Sequence, residues 1–345
     1  MPQFETIIEN AKVLRVRSKL LKKIPDASNF EKVYLNDISL SKPLSFGIYL
    51  PVRTREEDVP IKFVKIAEKG DFLSPKWKQF LKETTINIVY VHISEIENFL
   101  DNLLYNTAEL LDNPHVSVMK KISIAYRNAH YVIRAVMFNP KSGNNIERVR
   151  QFVDSYALFI IKNKISASML CRLFAKDYSL FAHSVQVGLL SIAFASITGI
   201  ISVAYLIDLG IGALLHDVGK IELPSELLSK PGPLSQEEFK IISKHPEIGF
   251  QLLKIHDFLN QDSLDIVLQH HERSDGKGYP AGLTDEEINP LAKLVHIVDC
   301  YDALTMQRSY RDALSPFEAL TVMTTDMKES FDEELIKDFI RFLGY

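Results

Sequence analysis

Seven of the ten histidines fall between 183 and 296, and five of them sit where an apolar run begins or ends. His183 heads the run FAHSVQVGLLSIAFAS. His216 and Asp217 close LGIGALLHDVGK. His245 lies in a short helix that Pro246 is expected to close. His270 and His271 form a pair before Glu272, and Asp299 follows LAKLVHIV. A polar side chain at the buried end of an apolar helix costs free energy unless it finds a partner. One such histidine is readily satisfied by a carbonyl. Five, with two aspartates in the same kind of setting, are hard to satisfy that way, and a metal centre satisfies them all. Imidazole with carboxylate suits Fe, Mn, Zn, Co or Ni rather than Mg or Ca. Seven donors exceed what a single ion takes. They fit two divalent ions bridged by a carboxylate, about 3.5–4 Å apart as in two-metal hydrolases.

Three further groups lie close to these residues in sequence. Lys220, in Val218-Gly219-Lys220, follows His216 and Asp217 and can meet a phosphate at the metals. By itself it would be a cation complementing a helix C-terminus. The segment Asp275-Gly-Lys-Gly-Tyr-Pro280 follows the histidine pair, and its glycines and proline fix a loop. Gly278 and Tyr279 belong to this loop, and the Tyr279 ring could stack on a nucleobase. Arg308 and Arg311, one helical turn apart, could grip a phosphate or a guanine edge.

The elements that must position these residues divide the chain in two. Residues 45–52, 61–67 and 86–93 are short apolar runs that read as strands, and Ser74-Pro75 opens a helix through Leu81. These make a small α+β domain over 1–113, a candidate for regulation or partner binding, in which no metal, phosphate or nucleotide motif occurs. After the break at Asp112-Asn113-Pro114 the chain reads as helical to its end, a second domain over 114–345. Residues 116–138 and 146–161 carry helical apolar spacing. The helical segment 116–166 could pair with a second copy of the chain through an apolar stripe, although packing within the molecule explains the same pattern. Capping boxes at 235–238, 284–287 and 315–318 mark three later helix starts. The fold class expected is therefore mainly α.

Composition excludes several classes. The net charge of −4 argues against a partner that is polymeric nucleic acid or an anionic membrane. No stretch reaches the roughly 18 apolar residues of a membrane span, and 185–203, the longest candidate, reads as one buried helix. No secretory signal precedes the first strand, so a cytoplasmic location is expected. Cys171 and Cys300 are read as reduced core thiols.

Together, HDVGK, HHERSDGKGYP and DCYDALTMQRSYR resemble the HD-GYP family, a branch of the HD superfamily of metal phosphohydrolases. The resemblance covers about residues 170–340 and implies an all-helical HD-GYP domain that hydrolyses cyclic di-GMP (c-di-GMP) to pGpG, in some members on to GMP. It implies that His183, His216, Asp217, His245, His270, His271 and Asp299 are metal ligands, with Asp217 bridging the ions. Lys220, Gly278, Tyr279, Arg308 and Arg311 would meet substrate, and iron or manganese are the first metals expected. Members with three metals carry a glutamate four residues before the first histidine. Ser179 stands there in this chain, so two metals are expected, and Asp177 is not counted in its place. Asp302 matches a frequent family position but is not counted as a ligand.

The mechanism expected is attack by a metal-bound hydroxide, with Asp217 and Lys220 as the catalytic side chains. Two other readings stand beside it: a receptor that binds c-di-GMP without turnover, and a hydrolase of another cyclic dinucleotide. The GYP loop and the arginine pair argue against ppGpp or a dNTP as substrate.

Overall fold

The computed structural model describes residues 12–13, 27–53, 61–163, 165–174, 179–198, 202–307 and 312–344. By internal contacts the chain divides into Met1–Glu109 and Leu110–Tyr345.

The first unit holds β1 (Lys12–Val13), β2 (Phe30–Tyr34), β3 (Ile48–Arg53), β4 (Ile61–Ala67), α1 (Pro75–Glu83), β5 (Ile88–His92) and all but the last turn of α2 (Ile96–Asp112). The sheet is antiparallel, and β3 is its hub. It pairs with β4 at Leu50 and Val64, with β5 at Tyr49 and Tyr90, and with β1 at Val52 and Val13. β5 in turn pairs with β2 at His92 and Phe30. Val33, Leu50, Val52, Val89 and Val91 are buried, as are Trp77, Leu81 and Phe99 of the helices. Ser74 caps α1 by accepting from the Trp77 N–H, and Pro75 follows it in the first turn. β2 was not foreseen, because Glu31 and Lys32 interrupt its apolar pattern. Nor was α2, which ends at Asp112, where the sequence breaks.

The second unit is helical. It contains α3 (Val118–Phe138), α4 (Gly143–Asn163), α5 (Ala167–Cys171), α6 (Leu180–Ala195), α7 (Val203–Leu215), α8 (Ser225–Leu228), α9 (Gln236–Ile242), α10 (His245–Leu253), α11 (Gln261–Gln269), α12 (Pro290–Thr305), α13 (Pro316–Thr325) and α14 (Glu333–Leu343). The sequence of α7, VAYLIDLGIGALL, is apolar on most sides, as a helix enclosed by neighbours must be. It packs against α4, α6 and α11, while α12 lies on α6 and α11. The elements that end in chemistry-bearing residues thus meet around one core.

Three expectations need correction. The stretch 185–203 is not one helix. The Ser196 and Thr198 hydroxyls donate to the Ala193 and Ala195 carbonyls, α6 stops at Ala195, and a new helix starts at Val203. All three capping boxes form, but the one at Thr284 heads only a single 3-10 turn, Asp285–Glu287. Ile288 follows the turn in an extended conformation, and Asn289, before Pro290, is kept out of the helical region, so the turn does not grow. Finally, the cysteines are not core thiols: Cys171 is exposed and Cys300 half-buried. Among the described residues, no helix is long and apolar enough to cross a membrane.

One close approach ties this scaffold to the histidine cluster. The 3-10 turn Val218–Glu222 lies directly on α10, and a Cβ on Gly219 would collide with the His245 carbonyl and lie 2.6 Å from the Gly249 nitrogen. Only glycine lets the backbone after Asp217 come this near to His245. Gly219→Ala is expected to destabilise the protein by about 1–3 kcal/mol. Thermal unfolding should register this as a fall of roughly 2–4 °C per kcal/mol, and an unchanged midpoint would contradict the contact.

Candidate metal centre

Helix ends deliver most of the cluster. His183 lies in the first turn of α6. His216 is the C-cap of α7, and Asp217 follows it. His270 is the C-cap of α11, with His271 next in the chain. His245 opens α10 instead of sitting in a helix that Pro246 closes. Pro246 occupies the first turn of α10, where its missing N–H removes no helical hydrogen bond. Asp299 projects from within α12.

A repeated contact fixes three of the imidazoles. The Nδ1 atoms of His216, His245 and His270 lie 2.7, 2.8 and 2.9 Å from the carbonyl oxygens of Ala213, Ile242 and Val267. Each carbonyl belongs to the residue three before the histidine. A carbonyl only accepts, so Nδ1 carries the hydrogen, and in the neutral ring Nε2 presents a lone pair. Those lone pairs converge. His245 Nε2 and His270 Nε2 stand 3.1 Å apart. His183 is turned the same way by a carboxylate, with Nδ1 2.7 Å from Asp302 Oδ2 and Nε2 2.9 Å from Asp299 Oδ1.

Two carboxylates run through the middle. Asp217 Oδ1 is 3.2 Å from His245 Nε2 and 3.9 Å from His270 Nε2, while its Oδ2 is 3.5 Å from His216 Nε2 and 3.7 Å from His183 Nε2. Asp299 Oδ1 faces His183 and His216, and its Oδ2 lies 3.7 Å from His271 Nδ1. Asp217 therefore belongs to two groups of converging donors: with His245, His270 and His271, and with His183 and His216.

The electrostatics follow from this crowding. Burial lowers His270, His271 and His245, and cationic neighbours add to it, so these rings are neutral at pH 7. Burial opposes ionisation of Asp217, but the Lys220 ammonium, 2.6 Å from Oδ2, and His216 outweigh it and hold the carboxyl well below its usual range. Burial also opposes ionisation of Asp299, which His183 keeps well below its usual range. His183 itself is lowered by burial but raised more strongly by Asp299 and Asp302, so its value lies well above normal.

This arrangement fits metal ions. His216 Nε2 and Asp217 Oδ1 are buried with no hydrogen-bond partner among the described residues. Two lone pairs 3.1 Å apart on neutral rings repel unless a cation stands near both. The donor set of imidazole nitrogen and carboxylate oxygen is that of a transition-metal site.

Other residues singled out in the sequence fall as follows. Lys220 sits in the 3-10 turn after Asp217 and touches that carboxylate. Gly278 and Tyr279 lie in the loop beside His271. The Tyr279 ring packs 4.7 Å from the His271 ring and 5.7 Å from Phe239, so part of its surface is already covered by protein. Ser179 caps α6 by accepting from the Ala182 N–H. Asp177, Arg308 and Arg311 lie outside the described residues. Among the residues that sequence reasoning left without a role, Asp302 accepts from His183 Nδ1 and from Gln186 Nε2, and so holds a ring of the cluster. Its spacing from Asp299, one helical turn, was the available signal. His296 Nδ1 donates to the His270 carbonyl at 2.9 Å and buttresses that turn.

Residues 201–335 match a protein-family model described as HD domain. Cyclic di-GMP phosphodiesterase PA4108 of Pseudomonas aeruginosa is 33% identical over 192 residues, which cover 56% of this chain and 46% of that protein. A protein named Cyclic di-GMP phosphodiesterase from Thermotoga maritima is 34% identical over 167 residues, covering 48% of this chain and 45% of that protein. The aligned regions thus span less than half the length of either relative. A solved structure described as Bd1817, a HDG"Y"P protein from Bdellovibrio bacteriovorus, shares the fold with a TM-score of 0.66. It is 23% identical and covers 92% of this chain and 100% of that one. Over residues 201–335, therefore, the chain is similar to an HD domain.

The depressed histidines set a direction for pH. In the fold His245, His270 and His271 titrate below the 6.5 of an unperturbed ring, so the unfolded chain takes up protons first as pH falls. Their contribution to stability is complete above pH 6.5 and is lost below it. His183 is raised, so it acts in the opposite sense and contributes below pH 6.5. His130 and His296, also lowered by burial, act in the same sense as the three, so five rings against one predict a lower unfolding midpoint at pH 5 than at pH 7 for chelator-treated protein. Added Mn(II) should stabilise the fold at pH 7 by about 2.7 kcal/mol at a hundredfold excess over its dissociation constant, and so raise the midpoint. The rise should shrink at pH 5, where the rings must lose protons to bind. Equal shifts at both pH values would contradict neutral imidazole donors.

Proposed function

We propose that this chain is a metal-dependent phosphodiesterase that opens c-di-GMP to pGpG, or on to GMP, in the cytoplasm. The observation that carries the reading is the convergence of five imidazoles and two buried carboxylates on one space, with a lysine at its edge. The names of the relatives supply the substrate. His183, His216, Asp217, His245, His270, His271 and Asp299 would hold two ions, with iron or manganese favoured and Zn, Co or Ni compatible with the same donors.

Bound ions of this kind supply Lewis acidity toward a phosphoryl oxygen and make water a better nucleophile at neutral pH. The protein's own residues do the rest. Asp217 offers one oxygen to each donor group and links the two halves of the site. Lys220 keeps Asp217 ionised and stands ready to offset charge that develops on phosphoryl oxygens. Gly278 and Tyr279 form the wall beside His271, while Arg308 and Arg311 take a phosphate or guanine edge. The N-terminal α+β unit has no group of three or more converging His, Cys, Asp or Glu donors among its described residues, and we assign it a regulatory or partner-binding role.

Purified protein loaded with Mn(II), or with Fe(II) under anaerobic conditions, should convert c-di-GMP to linear or mononucleotide product resolved by chromatography. Binding without product would make the protein a receptor. Faster turnover of 3′,3′-cyclic GMP–AMP would reassign the substrate. His270→Ala and Asp217→Ala should each lose metal and turnover. Lys220→Met should keep metal and lower kcat roughly 100-fold. Arg308→Ala should keep metal and raise KM, and an unchanged KM would remove it from the pocket.

A further inference from the structure

Of the five clustered imidazoles, His271 is held differently. The other four each place Nδ1 on an oxygen: His183 on Asp302, and His216, His245 and His270 on main-chain carbonyls. Metal-binding histidines nearly always have such a partner on the second ring nitrogen. Among the described residues His271 makes no side-chain hydrogen bond. Asp299 Oδ2 stands 3.7 Å from its Nδ1, beyond hydrogen-bond reach, and the ring packs among other rings, with His270 at 4.1 Å, Tyr279 at 4.7 Å and His245 at 5.0 Å. The first and last of these are themselves tied to carbonyls. Tyr279 is the one ring neighbour that arrives on a loop.

That loop is closed by the residue after His271. Glu272 is 2% exposed, and no lysine or arginine pairs with it among the described residues. Its carboxylate instead accepts three consecutive backbone N–H groups. Oε1 takes Ala281 at 2.7 Å and Gly282 at 3.2 Å, and Oε2 takes Leu283 at 3.0 Å. Hydrogen bonds to a carboxylate are about twice as strong as neutral ones, and three together satisfy a charge that would be costly to bury alone. The clasp draws the far end of the loop back across its own start. There Gly278 leaves no space for a side chain: a Cβ would lie 2.5 Å from both Glu272 Cα and the Arg273 nitrogen. The next residue, Tyr279, donates its N–H to the His271 carbonyl at 3.2 Å, and its ring lies over the His271 ring.

We infer that Glu272 is a positioning residue: by clasping the 281–283 backbone it presses the Tyr279 ring onto His271 and orients the imidazole that no hydrogen bond orients. The inference rests on the metal-site reading of the cluster. It gives Tyr279 a duty toward the protein itself, as a prop for a ligand. The nearly isosteric Glu272→Gln keeps one acceptor but turns an NH₂ toward donors, so at least one N–H of the clasp loses its partner.

The test measures metal retention in the full-length protein loaded with Mn(II) and challenged with excess EDTA. Glu272→Gln should release manganese about tenfold faster or more, the scale for losing a residue that orients a ligand. In chelator-treated protein, hydrogen exchange at 281–283 should also speed up. Tyr279→Ala should reproduce the faster release and Tyr279→Phe should not, because it keeps the ring. In the double variant Glu272→Gln/Tyr279→Ala the release should be no faster than in either single one, since both break the same prop. Release at the wild-type rate in Glu272→Gln would overturn the inference, as would effects that multiply in the double variant. A wild-type protein that holds no manganese would overturn the metal reading itself, and this inference with it.

Discussion

His245 and His270 each give their Nδ1 hydrogen to a main-chain carbonyl, and their Nε2 atoms then meet at 3.1 Å. Burial keeps both rings neutral, so no proton lies between them. The contact is repulsive unless a cation stands near both nitrogens, and most of the second unit is arranged around that requirement. The Asp217 carboxylate, fully buried, lies beside this pair and reaches His183 and His216 with its other oxygen. Its charge is kept by Lys220 on one side and by imidazoles on the other.

The scaffold solves a problem of precision with backbone geometry. The last carbonyls of a helix lack intrahelical partners. His216 and His270, as C-caps, use such a carbonyl to lock their own rings, and His245 does the same with the end of the short α9. One contact thereby satisfies an orphan acceptor, selects a tautomer and aims a lone pair. α7, enclosed by α4, α6 and α11, carries His216 and Asp217 on its end, and Gly219 lets the following turn lie against α10, so that His245 comes within reach. Changes far from the cluster that shift these helix ends would move donors by the tenths of an ångström that coordination notices.

Much of this was legible in the sequence because the site is built from segments with strong local signals. HDVGK, HHERSDGKGYP and the aspartate of DCYD each end or interrupt an apolar helix, and the structure brings all seven expected donors together. What the sequence hid depends on tertiary geometry. That His245 opens a helix follows from where α10 packs, since Pro246 suits either side of a boundary. The break between α6 and α7 depends on two hydroxyls turning back to carbonyls, which apolar patterning does not report. Glu272 resembles any solvated acid in a polar loop, and only the path of residues 281–283 shows that it is buried. β2 went unread because its exposed face carries Lys32 and its buried face is short.

The claim beneath all of this is that the inward lone pairs exist to bind cations. Crystals grown with Mn(II) near neutral pH, measured for anomalous scattering at the manganese edge, address it directly. The account predicts two peaks, one between Asp217 Oδ1 and the His245, His270 and His271 rings, the other between Asp217 Oδ2 and the His183 and His216 rings. A map without peaks there, with the His245 and His270 nitrogens still in contact, would mean that protons hold the cluster together and would contradict the account.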